Sequence, residues 1–115
     1  MPKLSVPDAQ QLDRGFHALA DATRRAVIVR LTAGEASVAE LAAPFDMALP
    51  SFLQHVRVLE AAGLITTVKK GRVRTCRLEA ERLAALEGWI SRYEAAWQSR
   101  LDRLGQFLET KGDTQ

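Results

Sequence analysis

The sequence predicts a mainly helical domain with one small β-hairpin and a long C-terminal helix. Apolar residues recur at three- and four-residue spacing through most of the chain, which is the period of a buried helix face. Two short runs rich in Thr, Val, Ile and Leu flank a basic turn with a glycine, which is typical of a hairpin. A chain of 115 residues, 47% of them hydrophobic, is large enough to form a core without disulfides. We therefore expect a single domain over residues 1–110 and a disordered tail over residues 111–115.

The first three helices each follow a residue that can cap a helix N-terminus. Ser5 is predicted to cap the first helix, with a proline in its first turn. Asp21 is predicted to cap a second helix that runs to about Thr32. Ser37 opens a short third helix, through Ala43, with the capping-box spacing of a hydroxyl residue and a glutamate.

A fourth helix is predicted from Leu49 to Ala62 after a brief turn. Pro50 is compatible with this helix because proline is tolerated in a first turn, and Gly63 is a natural stop. The inward stripe of the helix is expected to consist of Phe52, Val56 and Leu59. Two short helices joined by a tight turn, the second ending in glycine before a strand, match the helix-turn-helix motif.

The hairpin is predicted to have strands over residues 64–68 and 73–78, with Lys69–Arg72 as its turn. Five basic residues and no acidic ones lie between positions 69 and 77. Residues 1–78 carry eleven Lys and Arg against seven Asp and Glu, whereas residues 79–115 carry five against seven. This division indicates a surface that faces a polyanion and a separate segment with another role. A basic hairpin after a helix-turn-helix motif is a wing.

The segment over residues 79–109 is predicted to be a dimerisation region. Its apolar residues, at helical spacing, are Leu83, Leu86, Ile90, Tyr93, Trp97, Leu101, Leu104 and Leu108. A helix over residues 81–109 would be about 40 Å long, unless Gly88 divides it. The stripe either folds back as core or is buried against a second copy, and we favour the second copy. The residues predicted to form the interface are Leu12, Phe16, Tyr93, Trp97, Leu101, Leu104 and Leu108.

Several classes of protein are disfavoured by the sequence. The single cysteine, Cys76, excludes an intramolecular disulfide and is interpreted as a small packed residue. No apolar run is long enough for a membrane span and no signal peptide is visible, so no membrane partner and a cytoplasmic location are expected. Motifs for a nucleophile, a phosphate loop or paired catalytic carboxylates are missing, so neither enzymatic activity nor a cofactor is expected.

Three segments of the chain resemble the ArsR family of winged helix-turn-helix repressors. They are ALADATRR at residues 18–25, VAELA at residues 38–42 and LPSFLQHVRVLEAAGLI at residues 49–65. The segment WQSRLDRL at residues 97–104 is similar to a metal-free subgroup of the family. The resemblance implies a homodimer built from the first and last helices, with the fourth helix in the major groove of duplex DNA. A repressor of transcription is the function that this implies, with its own promoter as the first candidate target.

The chain departs from the family pattern at its metal sites and at its fourth helix. The family's thiolate site lies on the third helix, which has no cysteine here, and its second site needs a histidine on the last helix, which has none. The two histidines, His17 and His55, lie on different elements, so no metal ligand set and no metal sensing are expected. Hydroxyl residues are usual in the family where this chain has Ala48 and Leu53.

The residues predicted to contact DNA are Ser51, Leu53, Gln54, His55 and Arg57 on the fourth helix, with Lys70 and Arg72 on the wing. Gln54 can offer a bidentate amide to adenine, and Arg57 can pair with phosphate or guanine. Lys70 and Arg72 are suited to phosphate or to the minor groove. His55 is interpreted either as a phosphate contact or as a residue that bonds backbone at the edge of the core.

Leu53 is predicted to be at least half exposed and to contact a thymine methyl group. An alternative function is a winged-helix module that dimerises or binds protein without binding DNA. The sequence identifies no operator and no small-molecule effector.

Overall fold

The structure, a computed structural model, describes residues 7–113. Its elements in chain order are α1 (Ala9–Leu19), α2 (Ala22–Leu31), β1 (Ala36–Ser37), α3 (Val38–Ala42), α4 (Leu49–Ala61), β2 (Ile65–Lys70), β3 (Val73–Leu78) and α5 (Ala80–Asp113). The mainly helical architecture with a small hairpin and a long last helix confirms the predicted fold class.

The capping residues of α2 and α3 are those that the sequence predicts. The Asp21 carboxylate accepts from the backbone N–H of Arg24 at 3.0 Å. The Ser37 hydroxyl accepts from the backbone N–H of Glu40 at 3.1 Å, and the Glu40 carboxylate accepts from that of Ser37. Each cap therefore satisfies a backbone donor that the first turn of a helix leaves without a partner.

The start of α1 differs from the prediction, because Asp8 and not Ser5 is its cap. The Asp8 carboxylate accepts from the backbone N–H of Gln11 at 2.8 Å, and the Gln11 side chain accepts from the backbone N–H of Asp8 at 3.1 Å. This reciprocal pair forms a complete capping box three residues after the predicted start. Ser5 lies outside the described residues.

The wing is part of a three-stranded antiparallel sheet in the order β1-β3-β2. The β2–β3 ladder runs from Ile65 opposite Leu78 to Lys70 opposite Val73, so the turn itself is only Gly71 and Arg72. Gly71 has a φ of +62°, a conformation that glycine adopts without strain. The short strand β1, which the sequence analysis did not predict, pairs with the middle of β3, at Thr75 and Cys76.

The core lies between the helices and the base of the wing. The predicted inward residues of α4 are all buried, and so are Val27, Ile28 and Leu31 of α2. The buried apolar residues include Ala18, Val27, Ile28, Leu31, Leu41, Phe52, Val56, Leu59, Leu64, Ile65, Cys76 and Leu86. Burial raises the pKa of the Cys76 thiol, which keeps this residue a protonated packing group.

Helix α5 is one continuous helix of 34 residues, so Gly88 does not divide it. At about 1.5 Å per residue its length is about 51 Å. The helical backbone continues to Asp113, so the tail predicted from Lys111 is helical over its first three residues. Leu86 is buried against the domain, whereas the large apolar side chains from Ile90 onwards are about half exposed.

Helices α1 and α5 approach each other closely at Gly15. A Cβ atom added at Gly15 would lie 2.7 Å from Cδ1 of Leu86, closer than a van der Waals contact allows. Leu86 is itself only 4% exposed, so its side chain has little room to move away. Glycine at this position therefore fixes how deeply α5 seats on α1.

Replacing Gly15 with alanine is expected to lower the free energy of unfolding by about 1–3 kcal/mol, the usual cost of overpacking. Gly88→Ala is the matched control, because nothing lies within 4 Å of a Cβ added there. The control is expected to raise stability by about 0.5–1 kcal/mol, since alanine favours a helix interior. Urea unfolding monitored by circular dichroism measures both, and equal stability of the two variants would contradict the proposed close approach.

Candidate nucleic-acid interface

Helix α4 presents one apolar face to the core and one polar face to solvent. Phe52, Val56 and Leu59 are buried, and this anchors the helix. The Ala48 side chain makes no capping hydrogen bond, and Pro50 lies in the first turn, as the sequence predicts. The outward face carries the exposed side chains of Ser51, Gln54 and Arg57.

Gln54 and Arg57 form a hydrogen-bonded pair on this exposed face. Arg57 Nη1 donates to Gln54 Oε1 at 3.0 Å. The two residues are one helical turn apart, so their side chains lie side by side along α4. The pair places an amide and a guanidinium next to each other, and these are groups that read purine edges and phosphates in duplex DNA.

His55 is held by a residue of another helix. Its Nδ1 atom lies 3.1 Å from Nη1 of Arg24 and 3.7 Å from Oδ2 of Asp21. A guanidinium only donates, so Nδ1 of His55 is the acceptor of this hydrogen bond, and Nε2 is the ring nitrogen that carries a hydrogen. The histidine thus hydrogen-bonds to a side chain of α2. Within the described residues it does not bond to backbone, which was one of the two interpretations of His55.

Arg24 is a positioning residue whose partners the sequence does not reveal. Its Nε donates to the carbonyl of Ala18 at 2.8 Å and its Nη2 to that of His17 at 3.1 Å, while Nη1 reaches His55. The charge is unfavourable at the start of α2 but favourable at the end of α1, where the helix dipole is negative and the last carbonyls can accept further hydrogen bonds. One guanidinium therefore links the C-terminus of α1 to α4.

The N-cap of α2 adds an electrostatic component to this cluster. The backbone N–H of Arg24 lowers the pKa of the Asp21 carboxyl, and the positive charge of the Arg24 side chain lowers it further. Because the folded-state pKa is lowered, the cap contributes its full stability above the ordinary carboxyl pKa. That contribution is lost as the pH falls through the lowered value.

The wing concentrates positive charge near its tip. Lys70 and Arg72 are exposed on either side of Gly71. Lys69 lies directly opposite Arg74 in the β2–β3 ladder, and like charges in this position are destabilising. This concentration of like charges lowers the stability of the wing but suits it to binding a polyanion. The Thr67 hydroxyl, which donates to the Glu60 carboxylate at 2.6 Å, ties the wing to α4.

Leu53 is more buried than the sequence analysis predicts. It is partly buried and packs against the core, so the expected exposure of at least half is wrong. The reason is that Leu53 lies on the side of α4 that faces α3 and the wing, where it shares a recess with Val38 and Val73. The hairpin covers a position that would be open on an isolated helix.

Leu53→Ser is therefore expected to lower the free energy of unfolding by about 1–2 kcal/mol, because it removes a partly buried apolar side chain. Leu53→Met is the control, since methionine keeps a similar volume and is expected to cost less than about 1.5 kcal/mol. Thermal unfolding measures both. A serine variant as stable as the parent would show that the packing of Leu53 contributes nothing.

The described residues contain no cluster of three or more His, Cys, Asp and Glu side chains that could hold a metal ion. In the same part of the chain, no helix is both long and apolar enough to cross a membrane.

A polar-faced helix packed behind a short turn, with a basic hairpin beside it, defines a winged helix-turn-helix DNA-binding fold. A model of the helix-turn-helix domain matches residues 19–68. The HTH-type transcriptional regulator Rv2034 of Mycobacterium tuberculosis is 37% identical over 101 residues, which cover 88% of this chain and 92% of the relative.

Solved structures of ArsR-type regulators superpose on the fold. The crystal structure of an ArsR family transcriptional regulator, RHA00566, is 52% identical, with a TM-score of 0.77 over 83% of this chain and 98% of that one. The homodimeric winged helix-turn-helix DNA-binding domain of Mb0332 from Mycobacterium bovis is 25% identical, with a TM-score of 0.59 over 75% of this chain and 82% of that one. The chain belongs to the ArsR family of winged helix-turn-helix transcriptional regulators.

Proposed function

We propose that this regulator is a repressor that binds a specific duplex DNA sequence as a homodimer and needs no regulatory metal. The observation that carries the proposal is the exposed Gln54–Arg57 pair on α4, beside a wing whose tip carries Lys70 and Arg72. The pair supplies groups that distinguish bases, and the wing supplies charge that binds any sequence.

In this proposal α4 lies in the major groove. Gln54 contacts adenine, Arg57 contacts guanine or phosphate, and Ser51 bonds a base or phosphate at the start of the helix. His55, fixed by Arg24, has Nε2–H as its donor toward phosphate. Leu53 contacts a thymine methyl group with the part of its side chain that the recess leaves exposed. Lys70 and Arg72 bind phosphates.

The homodimer is proposed from the apolar stripe of α5. Trp97, Leu101, Leu104 and Leu108 are each between 53% and 59% exposed in the single chain. The ring of Tyr93 lies 4.4 Å from that of Trp89, and Trp89 contacts Phe16 of α1, so the stripe continues into the packed part of the domain. Leu12 and Phe16 of α1 are partly buried and pack against the core. Apolar surface of this extent on a soluble chain marks an interaction site, and the related Mb0332 domain is homodimeric.

Zinc, cadmium, arsenite and chelators are expected to leave the affinity for DNA unchanged. Neither α3 nor α5 has the thiolate or imidazole ligands that a transition metal requires. Fluorescence anisotropy with and without each reagent measures the affinity, and equilibrium dialysis measures bound metal. One tightly held transition metal per subunit, or an operator affinity that changes with metal, would overturn this part of the proposal.

Selection from random genomic fragments tests the DNA-binding function directly. Fragments retained by the protein on filters are expected to share a sequence with two half-sites about one or two helical turns apart. Gln54→Ala is expected to weaken the preference for particular bases. The variant should still retain DNA fragments through its charged contacts with phosphates. Retention without any shared sequence would refute specific binding, and absence of retention would favour a protein-interaction module. A reporter under the protein's own promoter then distinguishes repression from activation.

A further inference from the structure

A recess of about 410 Å³ lies between α4, the start of α3 and the wing. Its volume falls within the range of small-molecule sites in proteins. The apolar part of the recess includes Val38, Leu53 and Val56. Leu49 and Val73 also line it, and each is more than 50% exposed. The recess therefore leaves apolar side chains in contact with water. An apolar ligand would remove this surface from water, which is favourable.

The same recess is lined by positive charge. The lining contains one carboxylate, that of Glu60, and four cationic side chains, those of Arg57, Lys69, Arg72 and Arg74. Glu60 already accepts a hydrogen bond from Thr67 at 2.6 Å. The balance of charge favours binding of an anion. An anion would also reduce the repulsion between Lys69 and Arg74, which lie opposite each other in the ladder.

Apolar lining and cationic side chains together specify the chemistry of an occupant. A phosphate of the DNA backbone satisfies the cations but offers no apolar surface to Leu53 and Val38. A neutral hydrocarbon satisfies the apolar side chains but leaves the cations without an anion. A molecule with an anionic group and a hydrocarbon part can pair with the cations and also cover the apolar side chains.

We propose that this recess binds an anionic amphiphile, an aliphatic chain that ends in a carboxylate. The chain lies against Leu53 and Val56, and the carboxylate pairs with the surrounding cations. Because Arg57 and Arg72 are also proposed to contact DNA, the bound amphiphile competes with the operator. This regulatory step rests on the proposed DNA-binding function, whereas the binding of the amphiphile does not.

Binding is tested with decanoate as the probe, below the concentration at which it forms micelles. Decanoate is expected to raise the melting temperature and to give a saturable isotherm by calorimetry. Decan-1-ol, which has the chain without the charge, is expected to bind more weakly, and decyltrimethylammonium is expected not to bind. A melting temperature that falls with all three compounds would show detergent action and would overturn the proposal.

Two variants locate the site. Ala39→Trp puts a large side chain at an exposed position that lines the recess, and is expected to weaken decanoate binding about tenfold. Arg74→Gln removes one cation without changing the apolar lining, and is expected to weaken binding about two- to fivefold. Decanoate affinity unchanged in both variants would place its binding elsewhere and refute the assignment.

The regulatory step is tested by anisotropy with a labelled operator duplex. Decanoate is expected to weaken the affinity of the parent protein for DNA and to have a smaller effect on Ala39→Trp. DNA binding in the absence of decanoate tests the proposed function, and decanoate binding in the absence of DNA tests the recess, so the two failures are distinguishable. Saturation with decanoate and no change in DNA affinity would refute competition.

Discussion

Replacing Trp97 with alanine is expected to convert the dimer into a monomer at micromolar concentration. Trp97 is 57% exposed in the single chain, where its ring lies 5.7 Å from the guanidinium carbon of Arg100. If a second copy buries it, truncation costs about 3–5 kcal/mol. A loss of 3 kcal/mol corresponds to a dissociation constant about 100-fold larger, and the dimer contains two copies of the residue. Sedimentation velocity over a range of concentrations measures the shift.

Arg92→Ala is the matched control, because Arg92 is exposed on the same helix but lies away from the stripe. It is expected to leave the dimer intact. The fold of the Trp97 variant should survive as a monomer, because Trp97 is not part of the core within one chain. Loss of dimerisation should also lower the affinity for the operator, since each half-site is then bound by a separate monomer. A parent protein that is itself monomeric at this concentration would refute the interface.

Replacing Lys70 and Arg72 together with alanine is expected to reduce operator affinity by about 100-fold or more at physiological salt. If each subunit of the parent neutralises three or four phosphates, the slope of log affinity against log salt is roughly −5 to −7. The double variant loses about four phosphate contacts per dimer, so the slope is expected to become less steep by about 3 to 4. Titrations at several salt concentrations measure it.

The control for net charge is the double variant Arg92→Ala and Arg103→Ala, which removes the same charge from α5. It is expected to change the slope little, because those residues belong to α5 and not to the wing. Base preference should be unaltered by the wing substitutions, since phosphate contacts carry no sequence information. A changed preference would mean that the wing reads bases.

Much of the fold was accessible from the sequence because its signals are local. The caps Asp21 and Ser37 each bond a backbone N–H three residues away, so residue type and spacing reveal them. The buried stripe of α4 follows from helical periodicity. The strand β1 was missed because its two residues pair with Thr75 and Cys76, far along the chain, and two residues show no alternation.

The exposed residues of the candidate site could be predicted from the sequence, but the contacts that hold them in position could not. The outward positions of Gln54 and Arg57 follow from the phase of α4. His55 is held by Arg24, which is 31 residues away, and no local pattern reveals such a contact. Leu53 was misjudged for the same reason, because the wing and α3 that bury part of it meet α4 only in the folded chain.

The continuity of α5 has a consequence for the geometry of the proposed dimer. Leu86 locks the start of the helix to α1, and the apolar stripe lies further along the same rigid rod. Each residue inserted between Leu86 and Ile90 would turn the stripe by about 100° around the helix axis, relative to α4 and the wing. The angle between the two DNA-reading surfaces is thus set by the rotational phase of a single helix. Changes in the length of that helix would alter which half-site spacing the dimer accepts, with every base-contacting side chain left in place.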